Sequence, residues 1–226
     1  MKRGKNYRNA LKKYDANAQF TLSKAVEVVK DLKFAKFDET VELHVSLKLG
    51  KNQTMRDTVV LPHQFKGEKR VLVFCQEDRV KEAIDAGAAY AGAADYIEKI
   101  KGGWLEFDIA VATPDMMKDV GRLGMILGRK GLMPNPKTGT VTTDIAAAIN
   151  ELKKGRVEFR ADKAGVVHLA VGKVSMEGEK VVDNITALLT EINRKKPVDA
   201  KADFIRSISI SSTMGPGVWI DYKVGE

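Results

Sequence analysis

The chain has 226 residues, 44% of them hydrophobic and 30% charged, with a formal net charge of +8. That balance fits one large or two modest folded domains and excludes a disordered chain. The longest apolar runs, such as residues 71–75, fall far short of the roughly 20 residues a membrane helix needs, and the single cysteine, Cys75, excludes an internal disulfide and a multi-cysteine zinc site.

The basic start at Met1, Lys2, Arg3 and Lys5 has no apolar stretch behind it, so a secretory signal is not expected. Residues 5–14 are basic and weakly helical. Thr21 stands as an N-cap before Leu22, Ala25, Val26, Val29 and Leu32, whose spacing predicts an amphipathic helix over 22–34. Residues 41–49 alternate strictly between apolar and polar, the pattern of a strand with one buried and one wet face, and residues 57–61 form a second strand ended by Pro62.

The pattern then changes. Residues 71–75 are continuously apolar, as in a parallel strand buried on both faces. A short helix over 79–86, an alanine-rich stretch over 88–100 and a second buried strand over 109–112 follow. Thr113 and Pro114 then open another helix, and Asp144 caps one that closes at Gly155. From residue 156 alternating strands return, at 157–159, 166–171, 205–210 and 218–222, around an amphipathic helix over 178–194. The two flanks share a style that the middle lacks. The expectation is an α/β protein with a discontinuous α+β first domain, residues 1–66 plus 158–226, and an inserted α/β second domain, residues 67–157. The two crossings between them would make a natural hinge.

Counting charge by segment sharpens the surplus. Residues 1–66 carry 14 Lys/Arg against 7 Asp/Glu, residues 118–157 carry 8 against 3, and residues 158–226 balance at 10 against 10. Clustered cations point to nucleic acid, where lysine and arginine gain affinity by releasing counterions from phosphates.

The segments that carry chemistry are few. Residues 121–140 hold five glycines, two prolines and four basic residues, but neither a G-x-x-x-x-G-K-[ST] nor a strand followed by G-x-G-x-x-G is present. A long irregular loop is the expectation there. Residues 36–40 (Lys36, Phe37, Asp38, Glu39, Thr40) and 211–217 (Ser211, Ser212, Thr213, Met214, Gly215, Pro216, Gly217) sit at strand ends of the split domain. Short hydroxyls, an exposed backbone and a ring or thioether suit contacts with 2′-hydroxyls and bases, though two surface turns would look the same. Catalysis has little support. Cys75 lies in an apolar strand, Asp38 and Glu39 are adjacent and would point to opposite faces, and His44, His63 and His168 match no ligand spacing, so neither a metal nor a cofactor is expected.

Residues 127–141, LGRKGLMPNPKTGTV, closely resemble the signature of the bacterial large-subunit ribosomal protein "L-one" family. Residues 37–42 and 212–216 look like its first and second RNA-binding stretches, and residues 112–115 and 157–163 match in order and spacing. Arg129 stands where the family usually has proline. The resemblance implies a first domain with a split β-α-β type sheet, built from both termini, and an inserted Rossmann-like three-layer domain without a dinucleotide. It implies a non-enzymatic protein of the cytoplasmic ribosome, monomeric when free. Its expected partners are the stalk region of 23S rRNA, the rest of the large subunit, exit-site tRNA whose release it assists, and the mRNA of its own operon, which it represses; no membrane is expected. Residue by residue, it assigns RNA contact to Lys36, Phe37, Thr40, Thr213, Met214 and Gly215, with Ser211, Glu27, Asp162 and Lys163 beside them. Lys2, Arg3, Lys5, Arg8, Lys12 and Lys13 would attract phosphates without specificity. Arg122, Arg129, Lys130 and Lys137 would offer a second RNA contact or else be solvated charges. The alternative reading is a nucleotide-dependent enzyme using the central α/β domain.

Overall fold

The computed structural model describes residues 3–50, 53–65, 67, 69–197 and 204–222, with Lys137 by its backbone alone. In chain order the elements are Lys5–Leu11 (α1), Gln19–Phe20 (β1), Leu22–Asp31 (α2), Thr40–Leu47 (β2), Arg56–Val60 (β3), Val71–Phe74 (β4), Val80–Asp85 (α3), Tyr90–Gly92 (β5), Ala94–Lys101 (α4), Ile109–Ala112 (β6), Met117–Val120 (α5), Gly124–Lys130 (α6), Ile145–Lys153 (α7), Arg156–Arg160 (β7), Val166–Lys173 (β8), Gly178–Arg194 (α8), Ile205–Ser212 (β9) and Val218–Ile220 (β10). The protein is thus mixed α/β. Its contacts divide it into two compact units, Met1–Phe65 with Val157–Glu226, and Lys66–Arg156.

The first unit is organised by β2. Val41, Leu43, Val45 and Leu47 point inward while Glu42, His44 and Ser46 point out, the period-two pattern read in the sequence. β2 lies between β8 and β9, antiparallel to both, in a five-stranded sheet of order β1-β10-β9-β2-β8. The inward side chains pack against Ala25, Val26 and Val29 of α2 and Val181, Ile185, Leu188 and Ile192 of α8. The opposite, polar face carries His44, His168 and Ser211. A buried Asn184 on α8 fastens the segment after β3. Its Nδ2 donates to His63 O and Val171 O, each at 2.8 Å, and its Oδ1 accepts from His63 N at 2.9 Å. Every hydrogen-bonding group of that amide but one lone pair is used, which is how a buried polar side chain is tolerated. β3 and β7 form a separate two-stranded sheet.

The second unit has a parallel sheet of order β5-β4-β6. Leu72 and Phe74 of β4 face Ile97 and Ile100 of α4 and Leu123 and Leu127. Val71, Val73 and Cys75 face Ala83 of α3 and Ile145 and Ile149 of α7. Burial on both faces explains the unbroken apolar run. Asp144 Oδ1 accepts from Ala147 N at 2.9 Å, the N-cap its position predicts.

Two sequence expectations are corrected here, on residues 121–140 and on the helix after Thr21, and two short strands are added. The alanine-rich stretch at 88–100 is not one element: Tyr90–Gly92 pairs with β4 as an edge strand before α4 begins. Its alanines mask a strand because β5 contributes only three residues to the sheet. Residues 121–140 are not one irregular loop. Leu123 and Leu127 are buried against β4, and that burial holds α6 together despite its glycines. Thr21 precedes α2 with no side-chain cap, and the helix ends at Asp31 rather than 34. Gln19–Phe20, unseen in the sequence, pairs with β10 in parallel.

Candidate nucleic-acid interface

The two polar stretches at 36–40 and 211–217 meet at one end of the first unit's sheet, because the antiparallel pairing sets Val41 opposite Ser212. Glu39 joins them. Its side chain is fully buried. Oε1 accepts from Ala35 N at 3.1 Å, and Oε2 accepts from Ser212 Oγ at 2.7 Å and Met214 N at 3.0 Å. Burial alone would raise its pKa, but the hydrogen bonds from Ser212, Met214, Ala35 and Phe34 outweigh it and hold the carboxyl below its usual range. Glu39 is therefore an ionised, buried anchor between the stretches. Ser212 Oγ also accepts from Gly215 N at 3.2 Å, and a Cβ at Gly215 would collide with that hydroxyl, so the turn requires glycine.

Thr213 closes the same junction. Its Oγ1 accepts from Thr40 N at 3.0 Å and donates to Thr40 O at 3.3 Å, which extends the strand pairing by one side chain. Lys173 Nζ donates to Thr40 Oγ1 at 2.8 Å and to Asp38 O at 3.3 Å. Asp38 accepts from Ser175 N at 3.1 Å and Ser175 Oγ at 2.8 Å; chiefly the Ser175 hydroxyl lowers its pKa. With these fixings below them, Phe37 and Met214 stand out at 53% and 51% exposure. Lys36 is exposed next to Phe37.

A second network crosses the polar face. Ser211 Oγ lies 3.1 Å from His44 Nε2, and His44 Nδ1 lies 2.8 Å from His168 Nδ1. His168 Nε2 in turn lies 3.7 Å from Asp162 Oδ2. One proton shared between the two Nδ1 atoms makes the bridge, with one ring donating and the other accepting. Burial first, and then the neighbouring His168, lowers the His44 pKa. His63 is elsewhere, 2.9 Å from Asp183 Oδ2. Among the described residues no group of three or more His, Cys, Asp or Glu side chains could hold a metal ion.

Basic residues border the junction. A groove is lined by Arg3, Lys5 and Tyr7 together with His44, Ser211, Thr213, Met214 and Gly215. Tyr14 donates to Gly217 O at 2.8 Å and ties the N-terminal stretch to the second loop. Lys2 lies outside the described residues.

The structure thus brings together Lys36, Phe37, Thr40, Ser211, Thr213, Met214 and Gly215. Asp162 connects through the histidines, with Lys163 exposed beside it. Glu27 is not part of the cluster; it is exposed on α2, 3.0 Å from Lys24 Nζ. Arg122, 3.7 Å from Asp119, and exposed Arg129 and Lys130 belong to the other unit, and the side chain of Lys137 lies outside the described residues. Sequence reasoning missed Glu39, Ser212, Lys173 and the histidine pair. In the sequence Glu39 is only half of an adjacent acid pair, and the histidines lie too far apart to suggest a contact. The shared outward parity of His44 and His168 on alternating strands is the signal that could have joined them.

The model of the ribosomal protein L1p/L10e family matches residues 29–216. The chain belongs to that family. It is a family of ribosomal proteins, not enzymes, which removes the nucleotide-dependent enzyme reading. The chain is 78% identical over 226 residues to the large ribosomal subunit protein uL1 of Treponema denticola, covering all of both chains. It is 66% identical, again over all of both, to the protein of that name from Treponema pallidum. The uL1 of Borreliella burgdorferi is 54% identical over 221 residues, 98% of each chain.

Proposed function

We propose that the chain is a structural protein of the large ribosomal subunit that binds 23S rRNA in the stalk region through the surface around Glu39. The observation that carries this reading is the Glu39 junction, which holds residues 36–40 and 211–215 as one preorganised surface with Phe37 and Met214 raised above it. Preorganised hydroxyls and backbone groups suit the minor-groove face of RNA, where 2′-hydroxyls are displayed, and a ring and a thioether suit stacking against bases. Thr213 Oγ1 already donates to Thr40, so its remaining lone pair would accept from a 2′-hydroxyl. Arg3, Lys5, Arg8, Lys12 and Lys13 add phosphate attraction.

In this reading the unit built from both chain ends is the rRNA-binding domain, and Lys66–Arg156 is the inserted, Rossmann-like domain. The inserted domain meets exit-site tRNA through Arg122, Arg129, Lys130 and Lys137 and assists release of the deacylated tRNA. The rRNA surface also binds the protein's own operon mRNA and represses its translation. The relatives' name and the family's signature support the ribosomal assignment.

Phe37→Ala and Met214→Ala test the surface directly, because both side chains are exposed and their loss leaves the core intact. Phe37→Ala is expected to bind a stalk-rRNA transcript about ten-fold more weakly, since one base stacked on an aromatic ring is worth ~1–3 kcal/mol, and Met214→Ala is expected to bind more weakly by a smaller factor. Affinities equal to the parent's would refute the surface.

A further inference from the structure

A line of polar contacts crosses the outward face of the first unit's sheet and ends at Ser211. The register sets His44 directly opposite His168 of β8, with Ser211 of β9 on its other side, one diagonal step away. Ser211 Oγ lies 3.1 Å from His44 Nε2, His44 Nδ1 lies 2.8 Å from His168 Nδ1, and His168 Nε2 lies 3.7 Å from Asp162 Oδ2.

Asp162 decides which ring supplies the bridging proton. Its Oδ1 accepts from Ala164 N at 2.9 Å and Val166 N at 2.8 Å, and the Val166 amide does most to hold the carboxyl below its usual range. The ionised Oδ2 repels a bare lone pair on His168 Nε2 and attracts an N–H there. A neutral His168 with its proton on Nε2 has a bare Nδ1 and accepts, so a neutral His44 donates from Nδ1. His44 Nε2 is then an acceptor. Ser211 Oγ donates to it and presents lone pairs on its outer side.

One proton taken up from water reverses this order. Whichever ring holds the charge, the single-proton bridge leaves one Nδ1 bare, so both Nε2 atoms carry hydrogen. His44 Nε2 then donates to Ser211 Oγ, and the hydroxyl hydrogen turns outward. Burial and then His168 lower the His44 pKa, against the pull of Glu42 on the same strand. Arg3, Lys5 and Tyr7 line the groove that His44 shares, and Ser209 stands opposite it on β9.

We propose that His44, oriented by His168 and Asp162, is a positioning residue that holds the Ser211 hydroxyl as a hydrogen-bond acceptor for an exocyclic amino group of an RNA base. The chemistry selects this partner over a 2′-hydroxyl, which both donates and accepts and would follow either orientation of Ser211. An amino group only donates, so it meets a lone pair while the pair is neutral and another donor once the pair is protonated. The proposal rests on the rRNA-binding reading above and names what one residue of that surface reads.

Two measurements test it. The first needs no substitution and no RNA: nitrogen-detected NMR of the histidine rings is expected to show hydrogen on Nδ1 of His44 and on Nε2 of His168 at about pH 8. The reverse tautomers overturn the relay. The second compares the parent with Ser211→Ala for affinity to a stalk-rRNA transcript, at about pH 8 and again below the titration of the pair that the ring signals locate. Ser211→Ala keeps every other titrating group, so the ratio isolates the hydroxyl. The parent is expected to bind about five-fold more tightly at the higher pH and to lose that advantage at the lower one. In a His44→Gln background, whose amide takes up no proton, the effect of Ser211→Ala is expected to be the same at both pH values. An advantage that survives protonation in the parent, or vanishes equally in the His44→Gln background, overturns the proposal. If Phe37→Ala weakens binding while Ser211→Ala matches the parent at both pH values, the rRNA surface stands and the relay falls; if the parent itself does not bind the transcript, both fall.

Discussion

Glu39 combines two properties that oppose each other: full burial and an ionised carboxylate. Hydrogen bonds from Ser212, Met214, Ala35 and Phe34 resolve the conflict, because donors to the charged form offset the loss of hydration. The sign for stability follows. The folded pKa lies below the unfolded value of about 4.3, so this contribution is complete above that value and is lost as pH falls through the lower folded one. Urea titrations of the parent should therefore show stability falling below about pH 4, with Glu39→Gln showing a flatter acid limb. The His44–His168 bridge makes a separate prediction. With His168→Gln the neighbouring imidazole no longer opposes protonation, so His44 should titrate higher than in the parent when its ring is followed by NMR. An unchanged or lower His44 value would mean that the rings do not meet as described.

Among the elements, those with strong periodicity were legible. The alternation of β2 and the 3.6-residue spacing of α8 declared both their existence and their buried faces, since each face decides which side chains leave water. What failed was short or held by tertiary contact. β5 has three residues, and α6 keeps its helical form through Leu123 and Leu127 against β4 in spite of Gly124 and Gly128. The candidate site divided along the same line. The stretches around Phe37, Thr40 and Met214 stand out through the family resemblance, whereas Glu39 takes its place between them only when β2 pairs with β9 and Ser212 arrives beside it. Asn184 is of the latter kind too, a polar residue on the buried stripe of α8 whose partners are 13 and 121 residues away. Asn184→Ala should cost about 2–3 kcal/mol in denaturant unfolding, since it leaves buried groups at His63 and Val171 unpaired; a cost below 0.5 kcal/mol would place water there instead.

At the scale of the whole molecule, each unit closes its own core. The cluster around β2 draws only on the first unit, and the two clusters around β4 draw only on the second. Damage to one core should therefore stay local. Leu127→Ala should lower the stability of the second unit by about 2–5 kcal/mol, the usual cost of emptying a fully buried leucine site. Hydrogen exchange should report that loss in α4 and β6 with little change in β2 and β9, and rRNA affinity should be unaffected.

The surplus of +8 suggests that charge governs binding, whereas the proposed function assigns discrimination to the surface held by the buried Glu39. The affinity of Glu39→Gln for a stalk-rRNA transcript separates these accounts, because the substitution removes a negative charge and disrupts the junction at once. If attraction between charges governs binding, the variant binds more tightly. If the Glu39 junction shapes the surface, loss of its buried hydrogen bonds weakens binding by about ten-fold, with the salt slope unchanged. A folded Glu39→Gln protein that binds as well as the parent, or better, would contradict the account.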